Sequence, residues 1–384
     1  MSPVFCAVSH QCKSGSNLRN ESFAQSNQSR PIAPDIAPHL KTIGLLKGHD
    51  DKATCIAWSP GGHYLATASK DKSVWIWAAD KLDAPAGLSG QPQSSRSNLL
   101  QGGIPLASII MPLQPVAKFE TSSSFHPLVK WGPDGRTLAF NSYKDVWMKR
   151  WADGDLLIGS KGQGLTRLEG HTDYVTSLTW SPDGALLASG SRDSAVRVWD
   201  ARTQRCVSIL RGHSELVLAV AFSPDGSLLA SAGSDRNVRL WDLAAEAPAA
   251  SLVDPKKNCY TTGLAWSPEG RLLAAARWPE NVVRVWDVAG RKLLSSLPCK
   301  LPDVEPVGLG FSPDGQLLAA PCGEAVRVWE VESLDVAASL KGHYAQVRWA
   351  AFSPDGRRLA SASDDGTGRV WGAARGASDA GSAD

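Results

Sequence analysis

One four-residue turn recurs seven times along the 384 residues of this chain: Ser59-Pro60-Gly61-Gly62, Gly132-Pro133-Asp134-Gly135, Ser181-Pro182-Asp183-Gly184, Ser223-Pro224-Asp225-Gly226, Ser267-Pro268-Glu269-Gly270, Ser312-Pro313-Asp314-Gly315 and Ser353-Pro354-Asp355-Gly356. Successive prolines lie 73, 49, 42, 44, 45 and 41 residues apart. Proline pre-sets φ, aspartate bonds the local backbone and glycine supplies positive φ, so the phrase is a turn with a mechanism. Short alternating apolar runs flank it. In the third repeat they are Val175 to Trp180, Leu186 to Ser189 and Val196 to Trp199. Each has strand length and is rich in β-branched and aromatic residues. A repeated unit of this size cannot bury its apolar face alone, so neighbours must stack. The expectation is an all-β chain in which every repeat is a meander of short antiparallel strands.

Four repeats carry a further polar signature at constant offsets. A Gly-His pair opens each: Gly48-His49, Gly170-His171, Gly212-His213 and Gly342-His343. Each histidine is followed at fixed distances by Thr67, Ser189, Ser231 or Ser361, then Asp71, Asp193, Asp235 or Asp365, then Trp77, Trp199, Trp241 or Trp371. The dipeptide Trp-Asp stands at Trp199-Asp200, Trp241-Asp242 and Trp286-Asp287. Over roughly residues 41–372 this pattern resembles the WD-repeat β-propeller family. The resemblance implies a seven-bladed β-propeller of four-stranded antiparallel blades. Each repeat would supply the outer strand of one blade and the inner three of the next. Thr42 to Lys47 has no blade before it, so it would pair with the last blade and close the ring, removing exposed edges. Three repeats are degenerate. The second keeps Asp145 and Trp151 but has Ser123 at the histidine position. The fifth has Trp286 with an enlarged turn, Arg277 to Asn281, and the sixth has Trp329-Glu330 with Gly323 at the aspartate position.

The resemblance also implies roles. In each complete repeat the histidine bridges aspartate and Ser/Thr, and the hydroxyl receives the indole N–H, a structural tetrad satisfying groups whose burial unpaired would cost about 1–3 kcal/mol each. The same residue types could suggest a hydrolytic triad. An enzyme needs one such site with an open approach and an oxyanion hole, not four copies. Nucleophile elbow, phosphate loop and zinc-helix motifs are missing from the sequence. The reading assigns no catalytic, cofactor-binding or metal-ligating residue. Seven scattered cysteines without a C-x-x-C pair argue for reduced thiols, and Cys6, His10 and Cys12 fall short of a zinc ligand set.

What remains for function is surface. A net charge of +2 does not drive binding to nucleic acid or an anionic membrane. The expected activity is that of a non-enzymatic scaffold or adaptor docking partner proteins, a monomeric propeller within a larger complex. The docking face would carry the opening loops and second-hairpin turns. Its candidates are Lys70, Lys144, Arg192, Ser234 and Asp364 before the tetrad aspartates, with Asp51, Tyr174, Glu215 and Tyr344 after the Gly-His pairs. Trp278, with Arg277 and Pro279 in the widened turn of repeat five, is either an interface anchor or a filler of the space a tetrad would take. Trp349 reads as a core or channel filler. Trp199-Asp200-Ala201-Arg202 matches the W-D-x-R box of ubiquitin-ligase substrate receptors, which is the alternative function. Residues 1–40 and 373–384 read as disordered tails, the first with an organellar-targeting alternative to a cytoplasmic location. An insert at about residues 79–105 reads as a mobile loop, with Leu106 to Val116 returning as the outer strand of blade one.

Overall fold

The computed structural model describes residues 40–82, 112–121, 126–150, 165–245, 247–252, 259–300 and 307–373; the expected tails, Ser123, Trp151 and most of the insert lie outside them. All the described residues belong to one compact unit. They form seven sheets, six antiparallel ones of four strands and a mixed one of five. Blade three shows the plan: Val175–Trp180, Leu186–Ser191, Ala195–Asp200 and Arg205–Arg211 pair in chain order from the inside outward. Inner strands begin at Ala53, Val129, Val175, Val217, Tyr260, Gly310 and Val347. The second and third strands of each blade are mostly buried, because both their faces meet neighbouring blades. Leu65, Trp77, Leu46, Ala360 and Val370, drawn from blades one and seven, form one such buried cluster.

The ring closes at blade seven. Leu40–Lys47 lies antiparallel against Thr367–Ala373, with Leu40 opposite Ala373 and Lys47 opposite Thr367. A fifth segment, Pro112–Leu113, runs parallel to the closing strand. The outer strand of blade one is Pro115–Glu120, which corrects the expected span of Leu106 to Val116. Pro115 opens this edge strand opposite Trp77, at a bulge in the ladder where a missing N–H is tolerated.

The repeated turns also touch one another. Gly184 has φ of 72°, and a Cβ added there would lie 3.4 Å from Pro133 of the preceding turn. The same relation links Gly226 to Pro182, Gly270 to Pro224 and, across the closure, Gly62 to Pro354. In four of the turns a serine holds both sides, as in blade three, where Ser181 Oγ donates to Asp183 at 2.5 Å and accepts from the Leu186 N–H at 2.8 Å.

The inner strands surround a central channel. Residues of blades two to seven enclose a cavity of about 100 Å³, and a second of about 310 Å³ opens toward the repeated turns. Trp349 and Lys130 line both, with the Lys130 ammonium 4.4 Å from the indole centroid. Trp349 therefore fills the channel. It also presses on Gly308, whose hydrogen would have to be replaced by a Cβ only 1.9 Å from the ring.

If the closing strand is the clasp, damage to it should loosen both ends together. Leu46 is fully buried between blades seven and one. Leu46→Ala is expected to cost about 2–5 kcal/mol, and in hydrogen exchange the amides of Thr367–Ala373 should lose protection before those of blades three and four. Uniform loss across all blades would contradict this.

Candidate functional site

In four blades the fold brings histidine, hydroxyl, aspartate and tryptophan together on the loop face. The Gly-His pair leaves the preceding outer strand, the hydroxyl sits on the second strand, the aspartate in the turn after it and the tryptophan on the third. In blade four, the Trp241 indole N–H donates to Ser231 Oγ at 2.7 Å. Ser231 Oγ lies 2.7 Å from His213 Nε2, and His213 Nδ1 lies 2.9 Å from Asp235. The other three sets repeat this. His49 spans Asp71 and Thr67 at 2.8 Å each, with Trp77 on Thr67 at 2.9 Å. His171 reaches Asp193 at 2.7 Å and Ser189 at 2.8 Å, and Trp199 donates to Ser189 at 2.8 Å. His343 spans Asp365 and Ser361 at 2.8 Å each, and Trp371 donates to Ser361 at 3.0 Å. One proton order satisfies every atom: indole N–H to hydroxyl oxygen, hydroxyl O–H to Nε2, Nδ1–H to carboxylate.

The four imidazoles are 0–1% exposed. Each carboxylate also accepts the backbone N–H just after its histidine, as Asp193 does from Thr172 at 3.0 Å. Burial by itself would raise these carboxyls. The hydrogen bonds from the histidine and from the backbone N–H overcome that and lower all four, Asp193 to about 2. The hydroxyl, already accepting one proton and giving another, has neither free access nor an oxyanion donor facing it, so the geometry offers no nucleophile.

The degenerate blades solve the same problem with other groups. In blade two, Lys149 stands opposite Leu138 where blade three has Trp199 opposite Leu187; Asp145 is the first residue of the third strand and pairs with Arg167 at 2.7 Å. The expected aspartate and tryptophan register is thus displaced, because the connecting turn is two residues, Tyr143-Lys144, instead of three. Asn141 compensates, accepting the Leu128 N–H and donating to the His126 and Val175 carbonyls. In blade five, Arg277 donates to Thr261 at 2.7 Å, and Arg284 forks onto Glu280 at 2.8 and 3.0 Å.

That blade corrects the sequence reading of Arg277 and Trp278 as residues of an open turn. The second strand runs on through Leu272–Trp278, and Trp278 pairs and stacks with Tyr260 at 6.0 Å. Arg277 is 1% exposed. Strand pairing captured what looked like a loop. Asp364 is also drawn inward, bound by Arg348 at 2.6 and 2.8 Å and by Lys52 at 3.0 Å, and Ser234 is buried.

Other candidates do face outward. Tyr344 is 86% exposed. Lys144, Glu215 and Asp51 are exposed, and Lys70 is half-buried. Tyr174 and Arg192 are half-buried partners, the guanidinium 5.6 Å from the ring. Tyr143, which the sequence reading passed over, joins them edge-on to Tyr174 at 4.4 Å. Its signal was available, since a two-residue turn between strands forces one residue into the left-handed region, and Tyr143 has φ of 58°.

The family model "WD domain, G-beta repeat" matches residues 40–78, 162–200, 204–242 and 335–372, which are the repeats with complete tetrads. This is a WD-repeat β-propeller protein. Among its relatives, a probable cytosolic iron-sulfur protein assembly protein 1 of Cryptococcus neoformans is 29% identical over 42% of this chain and 40% of its own length. The mouse F-box-like/WD repeat-containing protein TBL1X is 27% identical over 48% of this chain and 31% of its own. Coronin-7 of Pongo abelii is 29% identical over 46% of this chain and 16% of its own. The matches thus span two fifths or less of the length of these relatives.

Two outcomes follow from the tetrads. His213→Ala leaves Ser231 and Asp235 buried without their bridge, and thermal or denaturant unfolding should show a loss of a few kcal/mol. The acid dependence has a definite sign. Asp193 is lower in the folded chain than its unfolded value of about 3.9, so its contribution is complete above pH 4 and disappears as pH falls toward 2. The melting difference between the wild type and Asp193→Asn should therefore shrink across that interval. A difference that grows on acidification would refute the assignment.

Proposed function

We propose that this propeller is a non-enzymatic scaffold that docks partner proteins on the face carrying its opening loops and second-hairpin turns. The observation that carries the reading is a contrast on that face. The repeated polar groups are sealed inside the blades, while Tyr344 and Lys144 stand in solvent and Tyr143, Tyr174 and Arg192 form one aromatic and cationic cluster across blades two and three. Tyrosine and arginine are the residue types that interfaces favour as anchors. The balanced charge of the chain supports a protein partner over nucleic acid or an anionic bilayer. The word "cytosolic" in the name of the Cryptococcus relative supports a cytoplasmic location. The relatives carry names of different roles, so what they share with this chain supports a common way of presenting surface more than any one pathway.

The ubiquitin-ligase alternative needs an accessible W-D-x-R box. Trp199 lies in its tetrad, and the Asp200 carboxylate caps the next turn by accepting the Thr203 N–H at 2.6 Å. Only Arg202 is open, at the rim of a cleft with Pro133 and Asp183.

Affinity purification from the native cytosol, compared between the wild type, the double variant Tyr143→Ala/Tyr174→Ala and Tyr344→Ala, tests the docking face. These surface changes should move stability by no more than about 0.5 kcal/mol. Recovery of the wild-type partners should fall at least tenfold in the double variant. Undiminished recovery from both variants would remove this face as the docking site.

A further inference from the structure

Among the described residues, the loop end of blade six has neither histidine nor aspartate at the tetrad positions, and two cysteines stand there instead. Cys299 directly follows the outer strand of blade five, Lys292–Pro298, where blade four's entry has Gly212 after Arg211. Cys322 ends the second strand of blade six, Leu317–Cys322, where blade four has Gly233. The thiols come from different blades, and Cys322 Sγ lies 3.1 Å from the backbone nitrogen of Lys300, the residue after Cys299.

The backbone holds them in that relation. The Gly323 N–H donates to the Lys300 carbonyl at 2.6 Å, and the Cys299 N–H donates to the Asn281 carbonyl at 2.8 Å. The first of these bonds ties together the residues that follow the two cysteines, which places the cysteines in adjoining segments, and a disulfide spans a Cα separation of about 4.4–6.8 Å. The two sulfurs differ in their surroundings. Cys299 is 2% exposed and its Sγ lies 3.0 Å from the Pro321 carbonyl. Cys322 is half-buried, and its Sγ accepts the Lys300 backbone N–H at 3.1 Å. Arg327 anchors on the Pro298 carbonyl at 2.7 Å, which sets its positive charge beside the pair.

We propose that Cys322 is a peroxide-reactive thiol and Cys299 its resolving partner, so that a hydroperoxide converts the pair into a reversible disulfide clasp between blades five and six. The Cys322 thiolate attacks the peroxide oxygen. The O–O bond breaks, the sulfur becomes a sulfenic acid, and the departing oxygen leaves as water or an alcohol. Cys299 sulfur then attacks Cys322 sulfur. The S–S bond forms, the S–O bond breaks, and hydroxide leaves with the Cys299 proton as a second water. Two thiols and one hydroperoxide give one disulfide, water and the corresponding alcohol or water.

The electrostatics suit this division of labour. Hydrogen bonding from Cys299 pulls the Cys322 thiol down to about 6 against the opposing effect of its burial, with Arg327 and the Lys300 N–H assisting. The same contact, with burial, pushes Cys299 up. The less buried sulfur is thus the thiolate that reacts first, and the enclosed one keeps its proton until the second step. This proposal goes beyond the docking reading and does not depend on it.

The test uses the full chain with hydrogen peroxide, followed by blocking of free thiols and tryptic digestion without reductant. Cleavage after Lys300 separates the cysteines into peptides 293–300 and 301–327. Mass spectrometry should find these two peptides linked, and a reductant should release them. In Cys299→Ser, dimedone should trap a sulfenic acid on Cys322. In Cys322→Ser, Cys299 should stay unmodified. Alkylation of Cys322 should be half-maximal near pH 6, at least a hundredfold faster at that pH than alkylation of Cys55, whose thiol burial raises. Linked peptides absent from the wild type, or Cys322 reacting no faster than Cys55, would overturn the proposal. Circular dichroism of both variants separates loss of chemistry from loss of fold.

Discussion

The relay from indole N–H through hydroxyl and imidazole to carboxylate is the interaction on which the rest of this propeller leans. It joins, inside one blade, the second strand, the third strand, the turn between them and the loop arriving from the previous blade. A sheet of six-residue strands has little area with which to hold its loop end in place. One fully satisfied polar chain does so in blades one, three, four and seven. Satisfaction is what matters, because a single missing member strands the others in a region of low dielectric. Blades two, five and six reach the same end with an asparagine, two arginine-centred contacts and a thiol pair. The demand is therefore for closed hydrogen bonding at that place, and the residue types are negotiable.

The two faces follow from different constraints. On one, six of the turns bring a glycine close to the proline of the turn before it, as Gly62 approaches Pro354 across the closure. The positive φ of these glycines disfavours any other residue there, and the seven turns are nearly the same. On the other, the loops between blades differ in length and chemistry, since only the tetrad residues within them are committed. Exposed tyrosines and the Tyr174–Arg192 contact occur there. The channel between the faces is narrowed by Trp349 with Lys130 over it, so the faces are separate surfaces.

Much of this was legible in the sequence, for a reason visible in the structure. The turn phrase and the His, Ser, Asp and Trp offsets are local in each repeat, and a constant strand length converts constant spacing into constant position. The closing strand was legible as a leftover, a segment with no blade of its own. What escaped was set by pairs that no offset records. Trp278 reads as a turn residue until Tyr260 is placed beside it. Asp364 reads as exposed until Lys52, more than 300 positions away in the chain, reaches it. The shift at Asp145 depends on one residue missing from a turn, and the meeting of Cys299 with Cys322 depends on how blade five sits against blade six. Periodicity predicts what repeats, and the exceptions needed coordinates.

The register of the closing ladder bears on how the ring yields to force. Leu40 and Ala373 lie opposite each other at the same end of their strand pair. Tension applied through those two residues would load one hydrogen bond at a time, opening the ladder like a zipper instead of shearing all its bonds together. A ring that resists heat through long-range closure would thus be mechanically weak along that one axis, where the rupture rate and not the equilibrium stability sets its lifetime.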